Sequence, residues 1–235
     1  MRTTLLFAVI LFGTIYLPVA AGESELICGY DTDRIGLRYR VEITETSGGE
    51  FDTGAYHVQV WRYGNQVAYV YEEQAITEIW DLVSDGRQKL IRYFDAHQRA
   101  IEYQPEDVHG GSGEEAWSAR YHLVSSEERE KLHQIGGSGD DCDSTIVFRS
   151  SENDHTEIEW RPVFAAPAML RRSEPGKEIV WTLDETISDG SRVDAEFSRR
   201  HHYVTTDFVD IGDNESDPFL TQMMHLGFIE DGHSH

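Results

Sequence analysis

The densest set of possible metal ligands in the chain lies near its C-terminus. Asp207, Asp210, Asp213, Glu215 and Asp217 fall within eleven residues, and the chain ends on His233 and His235. Asp210, Asp213, Glu215 and Asp217, with backbone carbonyls, have the oxygen chemistry of a calcium site. The spacing from Asp213 begins like an EF-hand loop, but Pro218 takes the place of its glycine and Met224 that of its closing glutamate, which excludes that loop. Met223, Met224, His225, His233 and His235 suggest a different ion: thioether with imidazole suits copper, and imidazole alone suits zinc or nickel. The same stretch also has a plain structural reading. Asp217 as N-cap, Pro218 as first helical residue and Gly227 just past the end predict a helix over 218–226. The carboxylates would then sit at the positive end of its dipole, and the methionines would fill core. Both readings stand at this point.

A second set of residues could hold an apolar ligand. Tyr56, Trp61, Tyr69 and Trp80, with Trp160 and Trp181 further on, are aromatic side chains in strand-like segments, suited to lining a concavity. Arg171 and Arg172 follow the apolar run from Val163 to Leu170 and could meet a lipid phosphate or an acidic partner. In an acidic protein such arginines also pair with local carboxylates, and most aromatics fill cores. Catalytic signatures are missing: there is no Gly-x-Ser-x-Gly, His-Glu-x-x-His or Gly-x-x-x-x-Gly-Lys-Ser/Thr. His201 and His202 would face opposite sides of a strand, so they cannot chelate one ion as a simple pair. The expectation is a binder rather than an enzyme.

The elements that must position these groups are mostly strands. Leu37, Tyr39, Val41 and Ile43 alternate with Arg38, Arg40, Glu42 and Thr44, the pattern of a sheet with one wet face. Gly64-Asn65 predicts a tight hairpin, Asp85-Gly86 a turn and Asp95 to Gln98 another. Residues 36–105 therefore read as an antiparallel meander, with 75–83 ambiguous between strand and helix. After a Gly/Ser loop, the pair Ser125 and Glu128 forms a capping box and predicts a helix over 127–135. Strands resume at Thr145, Thr156 and Glu178. Val193 to Thr206 reads as extended, with a helix from Asp194 to Arg200 as the alternative.

Residues 1–21 have the anatomy of a secretory signal, with Arg2, an apolar core from Leu5 to Tyr16 and the small residues Val19-Ala20-Ala21. Cleavage after Ala21 would leave a periplasmic or secreted domain over 22–235, with no stable membrane insertion. In an oxidising compartment Cys28 and Cys142 read as one disulfide. A formal charge of −23 argues against nucleic acid and anionic membrane surfaces as partners.

The run Leu82-Val-Ser-Asp-Gly86, then Leu90-Ile-Arg-Tyr-Phe-Asp95 and Gln98-Arg-Ala-Ile-Glu-Tyr103, resembles the periplasmic lipoprotein-carrier superfamily, the LolA/LolB/RseB-like group, over residues 55–105. That resemblance implies a half-open antiparallel barrel whose concave, apolar face is plugged by helices and holds acyl chains or a hydrophobic peptide. The fold expected is mainly β of the α+β kind: one curved antiparallel sheet or half-barrel with a few short helices. The function expected is carriage of a hydrophobic ligand or an exported protein segment. The alternatives are a metal-binding accessory role for zinc, copper or calcium through the C-terminal segment, or an uncharacterised hydrolase.

Overall fold

The structure, a computed structural model, describes residues 28–47, 50–108, 111, 113–151, 155–212 and 216–226. The expected signal segment and its cleavage site lie outside them. The strands are β1 (Arg34–Ser47), β2 (Glu50–Tyr63), β3 (Gln66–Tyr71), β4 (Ile76–Leu82), β5 (Gln88–Phe94) and β6 (Arg99–Tyr103) in the first half. The second half supplies β7 (His133–Ser138), β8 (Thr145–Arg149), β9 (His155–Arg161), β10 (Ala166–Glu174), β11 (Lys177–Ile187) and β12 (Val204–Asp207). They form one 12-stranded open sheet in the order β12-β6-β5-β4-β3-β2-β1-β11-β10-β9-β8-β7. Every neighbouring pair is antiparallel except β12 with β6. Two meanders, β1 to β6 and β7 to β11, are thus joined along β1 and β11.

Alternation in the strands builds a concave face. Ile35, Leu37, Tyr39 and Val41 of β1 share it with Val58 and Val60 of β2, Tyr69 of β3, Trp80 of β4 and Tyr103 of β6 in one buried cluster. Helix α1 (Glu114–His122) and helix α4 (Pro218–His225) lie on that face, contributing Tyr121 from the first and Phe219, Leu220 and Met223 from the second. A 3-10 turn over Pro162–Phe164 adds Val163 and Phe164. Helix α3 (Gly190–Ser198) covers the opposite face, where Val193 packs with Trp61, Ala68, Val70 and Ile187. Consecutive residues Val67 to Val70 are consequently all buried. The expected wet face is kept along β1, where Arg40 is exposed and Arg38 and Glu42 are half-buried, and is lost where α3 covers the sheet.

The remaining differences have local causes. Residues 75–83 are strand, paired with β3 and β5. Ser125 caps as expected, its Oγ accepting from Glu128 N at 2.9 Å, but the Glu128 carboxylate accepts from Arg172 and helix α2 covers only Ser126–Glu130. Gln134 to Ser138 pair with β8 instead of extending it, and Ile135 is exposed. Residues 190–198 are helical rather than extended, with the Asp189 side chain accepting from Ser191 N. The Cys28–Cys142 disulfide is formed, with Cα atoms 5.5 Å apart. No helix among the described residues is long and apolar enough to cross a membrane.

Candidate binding cleft on the concave face

The centre of the concave face is held by an arginine that has carbonyls, not carboxylates, for partners. Arg62 follows Tyr56, Val58 and Val60 at the inward positions of β2 and is fully buried. Its Nε donates to Tyr121 O and its Nη1 to Phe164 O, both at 2.7 Å, and its Nη2 donates to Ala165 O at 3.1 Å. The Tyr121 carbonyl belongs to the last turn of α1, where unpaired acceptors and the negative end of the dipole favour a cation. Burial works against the charge of Arg62, and the three carbonyls offset that. His122 Nδ1 donates to the same Ala165 oxygen at 2.9 Å, and burial lowers its pKa to about 4, so the ring is neutral at pH 7. Tyr121 in turn donates its hydroxyl to Asp33 and to Gly64 O. These contacts fix α1 over the sheet.

Beside this plug a cleft of about 430 Å³ remains between α1, α2 and strands β3 and β4. Tyr69, Tyr71, Trp80 and Leu123 form its apolar wall, and Ala116 and Ala119 of α1 its roof. The alanines matter because small side chains leave the space unfilled. Tyr69 and Tyr71 have nearly parallel rings 6.5 Å apart, and the Tyr69 hydroxyl donates to Arg120 O. Burial raises the pKa of both phenols, so they stay neutral.

Four charged side chains, Glu78, Arg120, Glu128 and Arg172, also line the cleft, and they are not equally matched. Glu78 is paired with Arg92 at 2.8 Å, and Arg172 donates to both oxygens of Glu128 at 2.8 and 2.9 Å. Arg120 stacks on Trp80, its guanidinium carbon 3.4 Å from the ring centroid, and donates to Gln88 Oε1. Among the described residues it forms no ion pair with a carboxylate. Burial lowers its pKa, with Tyr69 and Glu78 acting in the other direction.

Three of the side chains expected to bind a ligand, Tyr69, Trp80 and Arg172, meet in this cleft. Tyr56 is half-buried on the same face, against the core cluster and outside the cleft. Trp61 lies on the opposite face, because its offset from Tyr56 is an odd number of positions along a period of two. There it crosses Gly36, its partner in β1, with no space left for a Cβ. Arg171 faces away from Arg172 and lines a separate cavity with Arg149, His155 and Glu178. Trp181 packs edge-on against Tyr39, and Trp160 lies beneath Arg129.

Sequence reasoning missed Arg62 and Arg120. Arg62 had a signal, since it is a charged residue at an inward position of an apolar alternation. Arg120 had none, because the helix that carries it has Gly113 as its N-cap, with φ of +94° and no capping side chain.

Part of the expected metal set lies outside the described residues: Asp213, Glu215, His233 and His235. Asp217 acts as the N-cap, Oδ1 accepting from Phe219 N at 2.9 Å and from Leu220 N at 3.4 Å, while Oδ2 accepts from Arg99 at 2.9 Å. Both of its oxygens are therefore engaged in structure. Asp210 ends a 3-10 turn and His225 ends α4, both exposed. No group of three or more possible ligands among the described residues could hold a metal ion.

No family model matches the chain. No curated protein matches it significantly either. Several solved structures do. A DUF1329 family protein from Desulfovibrio piger is 10% identical, with a TM-score of 0.37, over 72% of this chain and 91% of that one. A LolA superfamily protein from Nitrosomonas europaea is 9% identical, with a TM-score of 0.30, over 66% of this chain and 86% of that one. Pseudomonas aeruginosa MucB, solved in complex with MucA, is 12% identical, with a TM-score of 0.28, over 74% of this chain and 60% of that one. The superfamily that residues 55–105 resemble is thus among the structural neighbours.

Proposed function

We propose that the protein is a binding or carrier protein for a hydrophobic chain, that of a lipid or of an exported protein segment, and that the chain lies in the cleft beneath α1. The observation that carries this reading is an aromatic-walled cleft left open on an otherwise well-filled face, roofed by two alanines. Its volume falls within the usual range for ligand pockets, and its lining combines three aromatic rings with four charged side chains, an amphipathic mixture. The frame around it is stiff. Arg62 and Tyr121 tie the roof to the sheet, so the space does not depend on a mobile element. The long-range disulfide is consistent with work in an oxidising compartment such as a periplasm or the cell exterior.

The test has two arms. Protein purified from cells is extracted with organic solvent, and the extract is searched for lipid by mass spectrometry. The same protein is titrated with a naturally fluorescent fatty acid, alongside an Ala119→Trp variant that fills the cleft. The reading expects saturable uptake that the variant abolishes while its melting temperature holds. It fails if uptake is absent in the parent, or is unchanged when the cleft is filled.

A further inference from the structure

We infer that the cleft selects single-chain amphiphiles with an anionic head, and that Arg120 is the residue that receives the head. This rests on the carrier reading above and adds a ligand class to it. Glu78 is neutralised by Arg92 and Arg172 by Glu128, which leaves Arg120 as the one lining charge with no opposite charge bonded to it among the described residues. In a chain of formal charge −23, a guanidinium held over an indole with no carboxylate bonded to it among the described residues is out of keeping with its surroundings.

Geometry supports the same assignment. The Arg120 guanidinium carbon lies over the indole of Trp80, 3.4 Å from the ring centroid, and Nη1 donates to Gln88 Oε1, so the group is held from two sides. Trp80 is also the floor of the apolar wall, so head and tail sites share one side chain. A planar guanidinium presents parallel N–H donors that match a carboxylate or a phosphate, and holding the plane beforehand lowers the entropy lost on binding. Partial burial strengthens the contact, because an arriving anion restores what desolvation has cost the cation. A volume of about 430 Å³ lies toward the small end of ligand pockets, which favours one chain over two.

Displacement of the fluorescent fatty acid by dodecanoate, dodecyl phosphate and dodecanol tests the inference. The three share a tail and differ in the head, so the first two also separate a carboxylate from a phosphate ligand. The charged pair should bind at least about tenfold more tightly than dodecanol, the lower end for a hydrogen bond to a charged group. Arg120→Gln should weaken both anions at least about tenfold and so remove that preference, and Arg120→Lys should restore part of it. The preference of the parent protein is read without any variant, so misfolding of Arg120→Gln cannot hide the answer. Equal binding of all three compounds overturns the head-group assignment and leaves the carrier reading standing. If none of the three displaces the probe and the probe itself does not bind, both are overturned.

Discussion

Arg62 of β2 donates from Nη2 to the carbonyl oxygen of Ala165, 103 residues further along the chain, at 3.1 Å. Ala165 holds this position with φ of +46°, in the left-handed region that an L-residue seldom occupies. Its carbonyl takes a second hydrogen bond from His122, so one oxygen joins the sheet, the end of α1 and the turn before β10. The cleft owes its shape to this junction.

Replacing Arg62 therefore costs more than one contact. Arg62→Met leaves buried acceptors at Tyr121, Phe164 and Ala165 without this donor, and the expected loss is at least about 3 kcal/mol. Arg62→Lys should recover little, since a compact ammonium cannot reach three separate acceptors in the directions a guanidinium does. Urea denaturation of both variants checks the order.

His122 sets a pH dependence with a definite sign. Its folded pKa, about 4, lies below the ordinary histidine value, so the unfolded chain binds more protons between these limits. Its contribution is fully present above about pH 6.5 and is lost as pH falls toward 4. The size expected is about 2 kcal/mol once partial exposure is allowed for. His122→Asn keeps a donor near the Ala165 oxygen without titrating, and should flatten the stability curve across that window.

Gly36 is a steric prediction on the other face. A Cβ there would stand 2.6 Å from the ring of Trp61. Gly36→Ala should cost about 1–3 kcal/mol through displaced packing. Because the two residues touch, adding Trp61→Leu should cost less in the Gly36→Ala background than in the parent. A double-mutant cycle by chemical denaturation measures it.

Asp217 carries out two tasks, and two substitutions separate them. Asp217→Ala loses both the cap and the Arg99 pair, with local destabilisation of α4 of about 1–2 kcal/mol. Asp217→Asn keeps an accepting oxygen for the cap and should lose less. Faster amide exchange at Phe219 and Leu220 in the alanine variant is the measurement.

What could be read from the chain beforehand was whatever depends on near neighbours. Gly64-Asn65, Asp217-Pro218 and the Ser125 cap each specify their own turn or helix start, and each forms. The end of α2 was not legible, because pairing of Gln134 to Ser138 with β8 decides it. Helix α3 was legible only as an alternative, and α1 not at all. Its register on the sheet is fixed by the distant donors Arg62 and Tyr69, not by its own pattern. The cleft followed the same rule. Tyr69 and Trp80 were found as aromatics of strand-like segments, Trp61 was misplaced because strand parity turns it to the other face, and Arg120 depended on a helix that only tertiary contacts reveal.

The seam between β1 and β11 bears on how such a chain is made. From Gly36↔Ile187 to Glu45↔Lys177, the middle of the sheet pairs residues well over a hundred positions apart. A polypeptide emerging N-terminus first would complete the β1-to-β6 arm early and then hold one long flank of β1 bare until residue 187 arrived. Contacts this distant slow assembly and leave backbone donors and acceptors open to other chains. Of all its strands, β1 is the one whose early appearance and late closure most require an escort during synthesis.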